Sequence, residues 1–525
     1  MGVGVSEIVG LGAAELARKI RAGELSSVEV TAAHVERIRS VDRKLNAVVV
    51  PMFDSAMAAA EEADRRRQRG EPLGPLHGVP ITVKECFYVE GTPSCIGLSK
   101  LKDELLPADG VLIERLRRAG AILLGKTNVP QLMLWHECDN PIYGRTNNPW
   151  DLARSPGGST GGEAAIIAAG GSPLGLAGDI GGSIRVPAHH CGIAGLKPTS
   201  YRLPRDGSRP NLRGLDAVIG QPGPMGRKVE DLTLALRVLV DEPMNRPQID
   251  VSPAPLLDPA DVRIENLRIA YWEDDGFFQA SPAVRRAVRE AAEILRSRGA
   301  RVEAWKPDFT EEAVEVYSAL VSADGGSDGR ELCRGSTVDW RLARLLAMPS
   351  LWRPTRQVAV WTLQALGQRW MAKTLKLARR RSARSFLQQS ERKNRVIRRF
   401  LASFGPGKFD AFLCPPHALP AMQHGKPIDL LPAASYAFAI NLLGIPCGSV
   451  PVTRVQAGED DGRPSSRDHV LRQARAVDSG SVGLPVGVQV GAAPWREDIV
   501  LAVMGAIEQM AEGRRDYPRF AELPL

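Results

Sequence analysis

The clearest pattern along the chain is a set of short apolar, β-branched runs that end in polar residues. HGVPITVKE (77–85) and AGAILLGKTN (119–128) are two of them, and each predicts a strand. Between them, ADGVLIERLRRAG (108–120) has the apolar spacing of an amphipathic helix. Strand, helix, strand predicts an α/β layer with parallel pairing. NLRIAYWED (266–274), DAFLCPP (410–416), IPCGSVPVT (445–453) and VGLPVGVQVGA (482–492) predict more strands, with 410–416 and 445–453 near a sheet edge or its loops. Helical periodicity predicts two helices over 7–70, one each around 230–245 and 284–298, and a last one at EDIVLAVMGAIEQMAE (497–512). Ser26 or Ser27 stands where it would cap the second helix, and Glu29 suits a capping box. Residues 155–200 are dense in Gly and read as loops around one small-residue helix, about Glu163 to Ala169. The polar stretch 455–477 reads as a surface loop.

With 525 residues the chain is long enough for three or four ordinary domains, but no linker separates independent halves. The expected organisation is one large α/β domain over 1–525, opening with helices at 7–70 and carrying a helical insert at 336–400. Charged residues make up 24% and are balanced in sign, while 44% are hydrophobic, which excludes a disordered chain. A bilayer-spanning helix needs about 20 consecutive apolar residues, and every candidate run is interrupted by Gly, Pro or Arg. No basic region precedes the first apolar stretch, so the expected location is cytoplasmic and not secreted. The start fits the M-G-x-x-x-S pattern for myristoylation at Gly2, a pattern short enough to arise by chance. Seven Cys without a C-x-x-C, and eight His without H-E-x-x-H, support neither a disulfide scaffold nor a zinc site; no cofactor is expected.

Charge changes the picture in one place. The net charge is +8, yet residues 341–400 hold sixteen Lys or Arg against a single acid, Glu391, so the rest of the chain is mildly acidic. Four of the nine Trp (Trp340, Trp352, Trp361, Trp370) fall in the same region, among Leu, Val and Met, and Pro354 splits their segment into two short helices. Trp and cations around an apolar face suit a helix lying in a lipid headgroup layer. Other readings are open: a buried helical hairpin, a solvated helix over 379–399, or a nucleic-acid surface.

The candidate chemistry sits in Lys84, Ser159 and Ser183. Ser159 lies in Gly157-Gly158-Ser159-Thr160-Gly161-Gly162, and Ser183 follows Ile180-Gly181-Gly182. A nucleophilic Ser needs a base in reach and N–H donors aimed at the developing oxyanion, and glycines let a backbone turn tightly enough to supply them. The amides of Ile180, Gly181, Gly182 and Ser183 are the expected donors. A Lys at the end of a buried strand loses solvation, and its pKa falls toward neutrality. Lys84 is thus the expected base, with Ser159 passing a proton between it and Ser183. Each signal alone has a structural reading: a Gly-rich loop is usually a turn, and a strand-end Lys is usually solvated or ion-paired.

Taken together, VPITVKE with Lys84, GGSTGGE (157–163) and GDIGGSIRVPAHHCGIAGLKPT (178–199) resemble the amidase signature family of serine hydrolases. The resemblance implies a Ser–Ser–Lys triad: Ser183 as nucleophile, Ser159 as bridge, Lys84 as base. It implies Thr160, Asp179 and Arg185 as supports, and a mixed, twisted sheet of about eleven strands covered by helices on both faces. Within the family the chain is most similar to the fatty-acid amide hydrolase branch, through CDNPIYGRTNNPWDLARSPGGSTGGE (138–163), GGSPLGLAGDIGGSIR (170–185), SADGGSDGR (322–330), SVGLPVGVQV (481–490) and APWREDI (493–499). That similarity implies Met133 in an acyl channel, Trp495 at a pocket mouth, and the insert, with Trp352, Trp361 and Trp370, as a membrane-contacting cap. Gly178, Leu134 and His136 depart from the branch, which often has Thr at the first position and aromatic channel residues at the other two.

The expected activity is hydrolysis of long-chain N-acyl amides. The alternatives are an aryl or short-chain amidase, or the ammonia-generating component of an amidotransferase. Expected partners are a lipophilic amide, an anionic membrane surface touched peripherally through 341–400, and a second copy if the chain is a homodimer; no nucleic acid is expected.

Overall fold

The apolar runs pair into one mixed sheet of eleven strands among the described residues of the computed structural model, which are 5–210, 212–240, 251–521 and 523. Gly2 lies outside them. In chain order the strands are β1 (Val48–Pro51), β2 (Pro80–Lys84), β3 (Ile122–Thr127), β4 (Leu174–Asp179), β5 (Ala194–Lys197), β6 (Gln221–Gly226), β7 (Arg268–Tyr271), β8 (Arg301–Ala304), β9 (Ala411–Cys414), β10 (Cys447–Arg454) and β11 (Pro485–Ala492). Across the sheet they run β1-β3-β2-β4-β6-β5-β10-β11-β9-β7-β8. The β3-β2-β4 group is parallel, as the strand–helix–strand pattern predicts, and so is β9-β7-β8; the strands between are antiparallel.

Alternation along a strand decides which helices each side chain meets. On β3, Ile122 and Leu124 pack with Val35 and Ile38 of helix Ser27–Leu45 and with Ala56 and Ala60 of helix Phe53–Gln68. Leu123, between them, joins the larger core with Leu16 and Ile20 of helix Ala13–Ala22 and Leu112 of helix Val111–Arg118. Helices therefore cover both faces. Ser26 caps helix Ser27–Leu45 in a full capping box with Glu29, as expected.

The structure corrects several local expectations. Residues 7–70 form more than two helices and also contribute edge strand β1. The Gly-dense stretch 155–200 holds β4, helix Arg185–Cys191 and β5 besides the expected helix, which runs Gly161–Ala168. Small residues there permit close packing of regular elements, not only turns. Strands β9 and β10 lie inside the sheet, paired on both sides. Helix His469–Asp478, capped by Asp468, takes the second part of the expected 455–477 loop. The insert forms three short helices (Trp340–Ala347, Arg353–Ala365, Arg369–Leu377) and one longer one, Ala383–Leu401. Pro354 sits in the first turn of the second helix, where its missing N–H costs nothing, and Gly367, left-handed at φ 73°, follows that helix's end.

Candidate active site

Strand β2 delivers Lys84 by its alternation. Ile81 and Val83 enter the larger core, so Thr82 and Lys84 face the opposite side, where residues 159–168 lie. There Lys84 Nζ donates to Ser159 Oγ at 2.7 Å, to Thr160 Oγ1 at 2.9 Å and to the Gly178 carbonyl at 3.4 Å. Glu163, one turn into helix Gly161–Ala168, accepts from Thr82 Oγ1 and from Thr127 Oγ1 and so ties the helix to β2 and β3. Burial pushes the Glu163 carboxyl up to about 8. A Cβ at Gly175 would come within 2.0 Å of Glu163 Oε1, so β4 must carry Gly at this point. Burial also lowers the Lys84 amine below its ordinary value, opposed by Cys86, Cys138, Asp179 and Glu163.

The loop 179–186 is anchored peptide by peptide. The Asp179 carbonyl accepts from Asn441 Nδ2 at 3.3 Å, and the Ile180 carbonyl from the Tyr317 hydroxyl at 3.1 Å. The Gly181 carbonyl accepts from His136 Nε2 at 3.0 Å, and the Gly182 carbonyl from the Val186 amide at 2.8 Å. A trans peptide points its N–H opposite its C=O. Each anchored carbonyl therefore aims the next residue's N–H: Ile180, Gly181, Gly182 and Ser183 in turn. Of these, Gly182 N–H donates to Asp179 Oδ1 at 2.7 Å. Of the four expected donors, the Gly182 N–H is thus engaged by the Asp179 carboxylate, and those of Ile180, Gly181 and Ser183 are not.

Asp179 and Arg185 bond to this loop and to each other. Asp179 also accepts from the Ile184 amide at 3.1 Å, and the fully buried Arg185 guanidinium bonds both its carboxylate oxygens at 3.1 Å. Arg185 reaches on to Asn441 Oδ1 at 2.6 Å and Gln489 Oε1 at 2.9 Å. Burial would raise the Asp179 carboxyl, but Arg185 and Asn441 hold it well below the usual carboxylate range.

Ser183 lies where two cavities meet. One, of about 280 Å³, is mixed in character: Lys84, Ser159, Gly178 and residues 205–210 line it with Ser183, alongside Phe87, Tyr88 and Leu212. The other, of about 200 Å³, is lined mainly by apolar side chains, among them Met133, Phe277, Val314, Leu346, Trp370 and Phe438. Met133, Ile180 and Ser183 border both. A hydroxyl beside an apolar slot on one side, and beside a buried amine and a second serine on the other, has the groups that acyl transfer needs.

The amidase family model matches residues 29–501. The chain belongs to the amidase family. Fatty-acid amide hydrolase 1 of Sus scrofa is 36% identical over 511 residues, spanning 95% of this chain and 86% of its own. Indoleacetamide hydrolase of Bradyrhizobium diazoefficiens is 33% identical, over 95% of this chain and 86% of its own. A solved fatty acid amide hydrolase superposes with a TM-score of 0.84 at 28% identity, over 97% of this chain and 87% of that one.

The structure places Lys84, Ser159, Thr160, Asp179, Ile180, Gly181, Gly182, Ser183 and Met133 around the two cavities of this amidase. Trp495 is not among them: it lines neither cavity and instead stacks on the Arg202 guanidinium, 4.7 Å from ring centroid to Cζ. Trp370 turns inward, onto Phe277 and Phe278 at 5.2 and 5.0 Å, and lines the apolar cavity. Trp352 and Trp361 point outward, 73% and 70% exposed, with Trp340, Val358 and Leu366 also exposed. The insert's cations are partly answered by acids: Arg341 by Glu137, Asp139 and Asp339, Arg344 by Asp429, Lys373 by Glu311, and Arg392 and Arg399 by Glu312. Arg353, Arg369, Lys376, Arg379, Arg380 and Arg384 are exposed and make no ion pair among the described residues. A Cβ at Gly178 would meet nothing within 4 Å, so the Thr common in the branch leaves open space here. Tyr317, Phe438 and Asn441 carry no sequence signal as supports of the loop, and His136 is marked only as a departure at a channel position; tertiary packing brings all four to the loop.

Behind the loop lie four buried histidines. His190 and His417 rings are 5.3 Å apart, His189 and His190 5.3 Å, and His136 and His417 6.0 Å. Neither ring nitrogen of His190 has a hydrogen-bond partner. Burial, helped by the neighbouring histidines, drives the His190 pKa well below 6.5. The folded chain therefore binds fewer protons at this ring than the unfolded one once pH falls below about 6.5, and stability is lost there. Replacing His190 with Phe removes both the proton site and the unpartnered nitrogens. The variant should gain about 2 kcal/mol on wild type between pH 7.5 and pH 5. Denaturant melts of both proteins at the two pH values measure this; a difference that stays constant with pH would exclude it.

Proposed function

We propose that this amidase hydrolyses long-chain N-acyl amides to fatty acid and amine through an acyl-enzyme on Ser183. The observation that carries this reading is the position of Ser183 at the mouth of an apolar cavity roofed by the insert, with Leu345, Leu346, Met348, Trp370 and Leu377 in its wall. The likeness to the fatty-acid amide hydrolase of Sus scrofa over most of both chains supports it. A small polar amide such as glutamine, the kind of substrate an ammonia-generating amidotransferase component would need, leaves that apolar wall without a purpose.

In the proposed reaction, Ser183 Oγ attacks the amide carbon. Its proton passes to Ser159 Oγ, and the Ser159 proton passes to the neutral Lys84 amine over their 2.7 Å contact. The carbonyl oxygen, now anionic, takes the N–H donors of Ile180, Gly181 and Ser183. Collapse of the adduct breaks the C–N bond, and Lys84 returns its proton through Ser159 to the departing nitrogen. Water then repeats the sequence on the acyl ester, releasing the acid and restoring Ser183. Thr160 and the Gly178 carbonyl hold the Lys84 amine in line.

The insert, in this reading, docks on an anionic membrane and takes lipophilic substrate from it. Trp352 and Trp361 flank exposed, unpaired cations on its outer side, while Trp370 and Leu346 form the cavity wall on its inner side. No helix among the described residues is long and apolar enough to cross a bilayer, so any contact by these helices is peripheral.

Ser183→Ala should abolish both turnover and labelling by a fluorophosphonate without changing the melting temperature; a variant that keeps near-normal rates refutes the mechanism. Lys84→Ala should slow a long-chain amide about 10²–10⁴-fold but an activated ester far less, since only the amine leaving group needs the returned proton. Amide turnover of the wild type should also fall on the acid side as Lys84 protonates. Equal losses on matched amide and ester would remove Lys84 from the acid–base role. For the insert, each free cation near an anionic surface is worth roughly 1 kcal/mol, and Trp burial adds a salt-independent share at about 25 cal/mol per Å². Replacing Trp352 and Trp361 by Ser should release the protein from anionic liposomes at high salt and raise KM for long-chain amides, with short amides unaffected. Co-sedimentation and KM values equal to wild type would end the membrane reading.

A further inference from the structure

The mechanism uses the N–H ends of the loop 179–183, but the carbonyl ends are what fix their direction. Two of those carbonyls are held by side chains from outside the motif. His136 Nε2 donates to the Gly181 carbonyl at 3.0 Å, and the Tyr317 hydroxyl to the Ile180 carbonyl at 3.1 Å. The peptide unit joining Gly181 and Gly182 is gripped at both ends, by His136 on its C=O and by Asp179 Oδ1 on its N–H at 2.7 Å. The preceding unit, joining Ile180 and Gly181, is gripped only at its C=O, by Tyr317, which leaves the Gly181 N–H unbonded and aimed the opposite way.

The two side chains share a support. Phe438 stacks on Tyr317, with centroids 4.6 Å apart and planes 9° apart, and lies against His136 at 6.1 Å and 28°. The loop leaves no room to vary: a Cβ at Gly181 would come within 2.6 Å of the Tyr317 oxygen, and Gly182, at φ 102°, would meet Ala437 at 2.7 Å. A carbonyl only accepts, so His136 must carry its proton on Nε2. Burial lowers the His136 pKa to about 4, which keeps the ring neutral in the range where the amide chemistry runs.

We propose that His136 and Tyr317 are positioning residues for the oxyanion donors: Tyr317 aims the Gly181 N–H by holding the Ile180 carbonyl, and His136, together with Asp179, locks the adjoining Gly181–Gly182 peptide between the Gly181 and Ser183 N–H groups so that neither donor can turn away. The proposal rests on Ser183 as the nucleophile and is independent of which acyl amide is the substrate. It separates these two from Lys84 by a kinetic signature. A misaimed oxyanion hole harms amide and ester alike, because both pass through a tetrahedral oxyanion, whereas a lost proton relay harms the amide selectively.

The test compares His136→Phe, which keeps an aromatic ring against Phe438 but has no donor, His136→Gln, which restores an N–H, and Tyr317→Phe, which removes one hydroxyl and keeps the ring. Three rates are measured: fluorophosphonate labelling of Ser183, and kcat on a matched long-chain amide and ester. His136→Phe and Tyr317→Phe should each lower all three by a similar factor, about 10- to 100-fold, with KM changed by less than about threefold. His136→Gln should recover to within about fivefold of wild type, since the missing element is a single N–H. Wild-type rates in either Phe variant overturn the proposal. So does a loss confined to the amide, which would place the residue in the proton relay, and so does a folded His136→Gln as slow as His136→Phe. Should His136→Phe fail to fold, Tyr317→Phe decides alone, because it deletes a single oxygen. Labelling needs no substrate, so if neither the amide nor the ester is turned over by the wild type, the substrate reading fails while the labelling rates still decide this one.

Discussion

Asp179 and Arg185 form a buried ion pair, and the geometry of the whole site follows from satisfying it. Two opposite charges sealed from water are costly unless every lone pair and proton finds a partner. Here they do: the carboxylate takes the Gly182 and Ile184 amides as well as the guanidinium, and the guanidinium reaches Asn441 and Gln489. Meeting those demands forces residues 179–185 into one path, with glycines where side chains would collide and Ser183 at its inner bend. Removing one partner of such a pair typically costs about 3–5 kcal/mol. The loop is thus held in one path in the folded protein, and the place of Ser183 is set by an electrostatic requirement rather than by the serine itself.

The insert answers a second constraint, that an apolar slot open to water would collapse or bind indiscriminately. Its helices bury Leu346 and Trp370 against the cavity and leave Trp352 and Trp361 outside. The body meets part of its excess charge with Glu137, Asp139, Glu311, Glu312 and Asp429, which pin the insert to the sheet domain. The cations left over are exposed, as are the two indoles. One segment is therefore wall on one face and surface patch on the other, and its composition makes sense only when both are considered.

Much of this was legible in the chain. Lys84, Ser159, Thr160, Ser183, Asp179 and Arg185 stand in contiguous, glycine-rich motifs whose spacing already suggests convergence. Strands with β-branched runs, such as Pro80–Lys84 and Ile122–Thr127, were equally plain. Gln221–Gly226 was not, because QPGPMG has the composition of a loop; it is a strand since Gly223 lets the Leu196 carbonyl approach to where a Cβ would stand 2.1 Å away. The charge of the insert was visible, but which cations are answered by distant acids was not, and the turning of Trp370 inward and of Trp495 onto Arg202 depends on neighbours remote in sequence. Tyr317 and Asn441 were hidden for the same reason, since each reaches the loop only through the fold; His136 stood out only as a departure at a channel position, not as a partner of the loop.

That remoteness has a consequence for how the protein comes into being. The carbonyl anchors reach the loop across 45, 137 and 262 residues of chain, from His136, Tyr317 and Asn441. Contacts of such separation form late, after the entropy of closing long loops has been overcome. A nascent or partly folded chain can hold the serines and the lysine in their local motifs and still have an unaimed loop. Until those long-range contacts close, the carbonyls of Asp179, Ile180 and Gly181 lack the partners that fix the direction of the loop's N–H groups.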